Sequence, residues 1–235
     1  MPSATLRNQL IGQLSPEDRD ALLAMATPFE FELGHVFCEA GDLVTQLYFL
    51  DSGIVSAVAV MKDGRTVEAY MVGSEGVTSP AAAAAAAHTY SRLAAQAPGR
   101  AWRVEAARLR ALIGERPGLR TVMAAFAVSV QNELEQSAAC NALHRADQRF
   151  AKWLLRCHDR IGGDTLQLTQ EYLASMLGSQ RTTVNEAAQT LQKAGALTYS
   201  RGRLTITDRA ALERVACECY RAGALPQIPD CLVAG

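Results

Sequence analysis

Residues 166–207 carry the pattern that most restricts what this chain can fold into. Thr169 can cap a helix that Gly178 ends, and Ser179 can cap a second helix that stops before Gly195. The second helix has apolar residues at helical spacing, which are Val184, Ala187, Ala188 and Leu191. Two short helices joined by a tight glycine-containing turn predict a helix-turn-helix.

The sequence after Gly195 predicts a two-stranded wing. Residues 197–200 and 204–207 have the composition of short strands, and the turn Arg201-Gly202-Arg203 separates them. The two arginines at the tip of the wing, Arg201 and Arg203, are suited to contacts with phosphates.

The exposed first turn of the second helix carries side chains that can contact bases. In a helix-turn-helix this turn enters the major groove, where Arg can pair with guanine, Gln or Asn with adenine, and a Thr methyl group with thymine. We therefore predict base contacts from Gln180, Arg181, Thr182 and Asn185, and a phosphate contact from Thr183.

The charge of the chain is divided unevenly along its 235 residues. Residues 1–144 carry 11 basic and 15 acidic side chains, a net charge of −4, whereas residues 145–225 carry 12 and 8, a net charge of +4. A basic second half favours a polyanionic partner. A protein partner for this basic half, in an effector-binding or scaffold protein, is the alternative that charge and periodicity leave open.

The first half is rich in predicted strands. Short apolar runs separated by turn residues cover 29–33, 48–50, 54–60, 67–72 and 94–104. The predicted turns are Ala40-Gly41-Asp42, Asp51-Ser52-Gly53, Lys62-Asp63-Gly64 and Pro98-Gly99. Ser15 and Pro16 predict a short helix before the strands, and the run 81–87 is a low-complexity alanine segment. This pattern predicts an antiparallel domain.

Two further helices are expected between the strands and the helix-turn-helix, over 119–143 and 147–160. The first has large apolar residues three and four positions apart, followed by small ones that would let another backbone approach. This stripe can cover the strand domain of its own chain, or it can pair two copies through Val122, Phe126, Val130 and Leu134.

The residues of 168–184, together with Leu191-Gln192-Lys193-Ala194-Gly195 and Tyr199-Ser200-Arg201-Gly202, resemble the winged helix of the Crp/Fnr transcription regulators. Ala40-Gly41-Asp42, Tyr48-Phe49-Leu50 and Ser52-Gly53 are similar to the effector β-roll of that family. The resemblance covers almost the whole chain. It implies an α+β fold with an N-terminal antiparallel, jelly-roll-like β-roll, a long dimerisation helix and a C-terminal winged helix-turn-helix.

The resemblance also implies the function and the domain boundaries. It implies a homodimeric, site-specific regulator that binds palindromic double-stranded DNA, with RNA polymerase as a further expected partner. No residues of the sequence support an enzymatic activity, so none is expected. Arg181 falls on the family's principal base-contacting arginine, and Thr169 on a phosphate-contacting position. The implied domains are an effector-sensing roll (1–118), a dimerisation helix (119–144), a winged helix (145–225) and a tail (226–235).

The candidate effector pocket departs from the pattern of the family's cyclic-nucleotide members. Those members use a Gly-Glu pair and an Arg-Ser or Arg-Thr pair, whereas this chain has Gly73-Ser74-Glu75 and the reversed pair Ser91-Arg92. Because successive side chains on a strand point to opposite faces, the reversal should turn Arg92 away from the phosphate. We therefore expect an effector other than cyclic AMP, or none.

The cysteine and histidine positions predict no cofactor. The six cysteines (Cys38, Cys140, Cys157, Cys217, Cys219 and Cys231) show no disulfide framework, and no cysteine precedes Cys38, which argues against the family's iron–sulfur cluster. Four scattered histidines give no support for haem. Two cysteines two residues apart on one helix would not face one metal, so Cys217 and Cys219 are expected to be packing residues.

The apolar stretches are too short for a membrane-spanning helix, and residues 1–14 lack the order of a signal peptide. A cytoplasmic protein is therefore expected.

Overall fold

The computed structural model describes residues 6–222, which form two compact units. The first unit contains residues 6–57 and 71–132, and the second contains 58–70 and 133–222. The hairpin 58–70 therefore belongs to the same unit as the predicted winged helix. Cys231 lies outside the described residues.

Most helices and strands lie in separate runs along the chain, as expected for an α+β protein. The helices are α1 (Gln9–Gly12), α2 (Pro16–Leu23), α3 (Ala106–Glu115), α4 (Pro117–Leu143), α5 (Ala146–His158), α6 (Gln170–Leu177), α7 (Arg181–Lys193), α8 (Arg209–Val215) and α9 (Cys219–Ala222). The strands are β1 (Thr27–Phe31), β2 (Val36–Cys38), β3 (Gln46–Val60), β4 (Thr66–Val72), β5 (Arg92–Glu105), β6 (Thr165–Gln167), β7 (Leu197–Ser200) and β8 (Arg203–Ile206). Among the described residues, no helix is both long enough and apolar enough to cross a bilayer.

Five strands form the sheet that begins the fold. Its strand order is β1-β5-β3-β4, with β2 also paired to β5. Strand β1 runs antiparallel to β5, with Thr27 opposite Arg103 and Phe31 opposite Gly99. The predicted antiparallel domain is confirmed, and so is the tight turn at Asp63-Gly64, where Gly64 has φ +83° and joins β3 to β4.

Two of the predicted turns are wrong. Asp51-Ser52-Gly53 lies inside β3 and Pro98-Gly99 lies inside β5, so each strand continues through a glycine. A Cβ atom on Gly99 would lie 2.1 Å from the Ser52 carbonyl oxygen, and one on Gly53 would lie 2.7 Å from the Pro98 carbonyl oxygen. These glycines are required because the two strands approach closely there.

The N-terminal helices are held by local capping and by one buried carboxylate. The Ser15 hydroxyl accepts a hydrogen bond from the Asp18 amide at 3.1 Å, as the predicted N-cap should. Asp51 is buried, and its Oδ1 accepts from the Arg7 and Asn8 amides at 3.0 Å each. The alanine-rich segment contains a short 3-10 helix, Pro80–Ala83.

Helix α4 begins two residues before its predicted start and ends where expected. Val122 and Phe126 are buried, and the Phe126 ring lies where a side chain on Gly76 would be. Both side chains therefore pack within the first unit, which argues against a place for Val122 and Phe126 in a dimer interface. Val130 is half-buried and Leu134 is exposed.

The second unit contains the predicted helix-turn-helix and wing. Helix α5 places Phe150 and Leu154 in its core, and α7 contributes Val184 and Leu191. Strand β8 pairs with β7, as expected, and also with β6, so the wing sheet has three strands in the order β6-β8-β7. The Leu166 side chain of β6 is buried, which explains why this short segment joins the sheet.

Candidate DNA-binding surface and effector region

The helix-turn-helix is shaped by one cap and one left-handed residue. The Thr169 Oγ1 atom accepts a hydrogen bond from the Tyr172 amide at 3.1 Å and caps α6. Gly178 ends this helix with φ +57°. The predicted N-cap of α7 is wrong by one residue, because Gln180 occupies that position and Ser179 instead donates its hydroxyl to the Leu177 carbonyl at 3.3 Å.

The start of α7 presents polar side chains to solvent. Gln180, Arg181 and Thr182 are exposed, while Thr183 is half-buried. An Arg181 nitrogen lies 2.7 Å from a Glu171 oxygen of α6, with 62% and 79% of these side chains exposed. An ion pair so exposed contributes at most about 1 kcal/mol, so a guanine can replace the carboxylate as the partner of Arg181.

Asn185 differs from the other three predicted base-contacting residues. Its side chain is half-buried, and among the described residues its Oδ1 atom is enclosed with no hydrogen-bond partner. A buried acceptor without a donor is unfavourable by about 1–3 kcal/mol. The exposed side chains of Gln180, Arg181 and Thr182 are therefore better placed for base contacts than Asn185.

The wing tip lies beside the N-terminus of α6. Arg201 and Gly202 form a two-residue turn with φ +52° and +75°, a conformation that matches the twist of a hairpin. The Gly202 carbonyl accepts from the Leu168 amide at 2.7 Å, and the Tyr199 hydroxyl donates to the Leu168 carbonyl at 2.9 Å. A cavity of about 420 Å³ is lined by Thr169 and the wing tip. The predicted phosphate-contacting residues Thr169 and Arg201 therefore lie together.

The candidate effector residues do not form a cationic pocket. Ser91 is buried just before β5 and Arg92, the first residue of that strand, is exposed, as expected for the reversed pair. The Arg92 guanidinium donates to both Glu39 oxygens, at 2.9 and 2.7 Å, and this carboxylate raises the pKa of Arg92. Glu75 is buried, and its carboxylate accepts from the Gly73 amide at 3.0 Å.

A buried neutral pair lies within the roll and was not predicted. The Ser56 hydroxyl donates to Gln96 Oε1 at 2.6 Å, and both side chains are buried. They come from β3 and β5, 40 residues apart in sequence. Only the strand alternation could have indicated that these two polar side chains face inward.

Four potential metal ligands, Cys140, His144, Cys217 and Cys219, meet in the second unit. Their ligand atoms all lie within 4.8 Å of one another. The assumption that Cys217 and Cys219 share a helix is wrong, because α8 ends at Val215 and α9 begins at Cys219. Residues off a regular helix can point toward one centre.

The electrostatics of this cluster differ from thiol to thiol. Burial raises the pKa of Cys217 to about 12. Burial opposes ionisation of Cys140 as well, but the positive charge of Lys152 and the hydrogen bond with His144 outweigh it and lower the pKa of Cys140.

Two family profiles match the chain. Residues 28–116 match the cyclic nucleotide-binding domain, and residues 148–215 match the Crp-like helix-turn-helix domain. The chain belongs to the Crp/Fnr family. As a Crp/Fnr protein it is a Crp-like transcription regulator, and the proteins that match it are regulators rather than enzymes.

Known relatives agree with this assignment. A CRP-like cAMP-activated global transcriptional regulator of Mycobacterium tuberculosis is 26% identical over 214 residues, which cover 86% of this chain and 93% of that protein. FixK2 from Bradyrhizobium japonicum has a TM-score of 0.67 at 18% identity, covering 82% of this chain and 98% of that one. A protein assigned to the crp/fnr regulators of Eubacterium rectale has a TM-score of 0.70 at 18% identity, covering 88% and 96%. The structural matches show a shared fold.

Proposed function

We propose that this Crp/Fnr protein binds a palindromic operator as a homodimer and reads its sequence with the first turn of α7. The observation that carries the proposal is the exposed polar group Gln180, Arg181 and Thr182 at the N-terminus of α7, in the same unit as a wing that carries two exposed arginines. Base contacts then supply specificity, whereas Thr169, Thr183, Arg201 and Arg203 supply phosphate contacts that fix the register. The cytoplasm is the expected location and RNA polymerase the expected further partner.

Selection of binding sites from a random DNA pool tests this proposal. A dimer of recognition helices should enrich sequences with inverted half-sites centred about 10–10.5 base pairs apart, or a multiple of that spacing. Affinity for the selected DNA should fall steeply with salt, because phosphate contacts release counterions. Enrichment of no motif, or of a single unrepeated half-site, would contradict a dimeric sequence-specific regulator.

The proposed dimer interface lies on the side of α4 that carries Val130 and Leu134. Val130 is half-buried and Leu134 is 40% exposed, so a partner helix can cover both. Leu134→Asp should shift the protein to monomers in sedimentation, because a carboxylate would be buried without a partner. Val128 is 53% exposed and about 120° away round the helix, so Val128→Asp is the matched control. Equal effects of the two substitutions would place the interface elsewhere.

We also propose that cyclic AMP is not the effector. Arg92 is engaged by Glu39 on the surface, and the buried Glu75 carboxylate would repel a cyclic phosphate. Calorimetry of the purified protein should detect no micromolar binding of cyclic AMP or cyclic GMP. Micromolar binding that disappears in Arg92→Ala would overturn this proposal.

A further inference from the structure

The ends of two helices bring four metal-ligating side chains together in the second unit. Cys140 and His144 are one helical turn apart, at and just beyond the C-terminal end of α4. Cys217 and Cys219 lie at the junction between α8 and α9. The three cysteines form a buried cluster, and the His144 side chain is largely buried beside them.

The distances match a single tetrahedral ion. The Cys140 and Cys217 sulfurs are 3.6 Å apart, and the Cys219 sulfur is 3.6 Å from His144 Nδ1. Two thiolates bound at about 2.3 Å to one tetrahedral zinc ion have sulfurs roughly 3.8 Å apart. A disulfide would require a separation of about 2.05 Å, so the cysteines are not paired.

We propose that Cys140, His144, Cys217 and Cys219 bind one zinc ion. Three thiolates and an imidazole form one of the common structural zinc sets, and soft sulfur ligands disfavour magnesium and calcium. Four protein ligands leave no position open for water or substrate, so the site is structural rather than catalytic. Binding forms three sulfur–zinc bonds and one nitrogen–zinc bond, the three thiol protons pass to solvent, and no group is oxidised or reduced.

The surroundings of His144 support this arrangement. His144 Nε2 lies 3.1 Å from a Glu218 carboxylate oxygen. A carboxylate there holds the proton on Nε2, which leaves the Nδ1 lone pair facing the three sulfurs. Histidine ligands of zinc are oriented by such a carboxylate in many proteins.

One buried cation balances the charge of the filled site. Three thiolates and one zinc ion carry a net charge of −1. The Lys152 side chain of α5 is only 8% exposed, and its charge acts on Cys140 and Cys219. The buried lysine therefore gains a counter-charge when the site is filled.

Zinc at this position would join parts of the chain that are far apart in sequence. Cys140 and Cys217 are separated by 77 residues, which include the whole helix-turn-helix and wing. Bound zinc would fix the segment after α8 against the end of α4 and stabilise the second unit, because the unfolded chain holds no preformed site.

Metal analysis of the purified, reduced full-length protein tests the proposal. We expect about one zinc ion per chain, and uptake of Co²⁺ by the chelator-treated protein with the visible absorption of tetrahedral cobalt thiolate. Cys140→Ser should remove most of the zinc. Cys38→Ser, which replaces a free cysteine of the first unit, should retain it.

A milder variant keeps the test informative if Cys140→Ser fails to fold. Glu218 is exposed, and Glu218→Gln should weaken zinc or cobalt affinity by about tenfold or more through loss of His144 orientation. Glu213→Gln makes the same charge change at a residue paired with Arg209, and it should leave the affinity unchanged.

Two results would overturn the proposal. One is a folded, reduced wild-type chain that contains no zinc and shows no cobalt thiolate spectrum. The other is an intact mass lower by two hydrogens, with a Cys140–Cys217 disulfide in place of the metal.

Discussion

The winged helix and the β-roll use their charged side chains in different ways. In the winged helix, Arg201 and Arg203 are exposed, and Arg181 is paired with the exposed carboxylate of Glu171. In the roll, Arg92 is held by both oxygens of Glu39, and Glu75 is buried with its carboxylate bonded to its own loop. The first set of side chains is available to a large anionic partner. The second set is paired within the roll itself.

This difference supports the proposed DNA contacts and argues against a cyclic phosphate in the roll. A DNA-contacting surface needs exposed hydrogen-bond donors held in a fixed arrangement. Helices α6 and α7 and the wing supply both the donors and the arrangement. A phosphate pocket needs a cation aimed inward, and the inward position beside Arg92 is taken by Ser91. The family fold is thus shared by both halves, but the residues that would recognise a cyclic phosphate are displaced.

The largest effect is expected from a core substitution that destabilises the winged helix and leaves the roll folded. Phe150 of α5 is fully buried, so Phe150→Ala should destabilise the second unit by about 3–5 kcal/mol and abolish specific DNA binding. Thermal unfolding followed by circular dichroism measures the loss. Val128→Ala, at an exposed position, should change stability little, and an equal loss there would contradict the assigned core.

A smaller effect is expected at the wing tip. Arg201→Ala and Arg203→Ala should each weaken binding to all DNA sequences alike and lower the slope of log affinity against log salt by about 1. Fluorescence anisotropy at several salt concentrations measures both quantities. A loss confined to the selected operator would show that these arginines contact bases instead.

The cap of α6 should contribute less still. Thr169→Ala removes the acceptor of the Tyr172 amide and should destabilise the winged helix by about 1 kcal/mol. Thr169→Ser keeps a hydroxyl at the same position and should retain most of the stability. Urea unfolding distinguishes the variants, and equal losses in both would mean that the methyl group of Thr169, rather than its cap, is important.

The smallest effect is expected in the roll. Arg92→Ala breaks an exposed ion pair, which contributes at most about 1 kcal/mol, and should change no nucleotide affinity. Thermal shift in the presence and absence of cyclic AMP checks both points. If cyclic AMP stabilises the wild type and Arg92→Ala removes this stabilisation, Arg92 is a phosphate ligand. The roll and the winged helix would then both use arginine to bind an anionic partner.

Local signals were enough to predict the helix-turn-helix, since caps and turn glycines act within a few residues. Thr169 and Gly178 both do what the sequence indicated, and only the N-cap of α7 moved by one position. The base-contacting role of Arg181 stays a prediction.

Features that depend on distant contacts could not be predicted. Gly53 and Gly99 resemble turn residues in sequence, and only the close approach of β3 and β5 shows their role. The position of Phe126 in the sequence fits an apolar dimerisation stripe, and only the contact of its ring with Gly76 shows that it packs within its own chain. The meeting of Cys140 with Cys217 depends on the packing of segments 77 residues apart.

The most direct test of base recognition compares Arg181→Ala with the wild type on the selected operator and on random DNA. Arg181 lies in the first turn of α7, so its loss should weaken operator binding by about 1–3 kcal/mol and leave binding to random DNA nearly unchanged. The ratio of the two affinities should therefore fall by roughly 5-fold to 150-fold. An unchanged ratio, with equal losses on both DNAs, would show that Arg181 contacts only phosphate and would contradict sequence recognition by this helix.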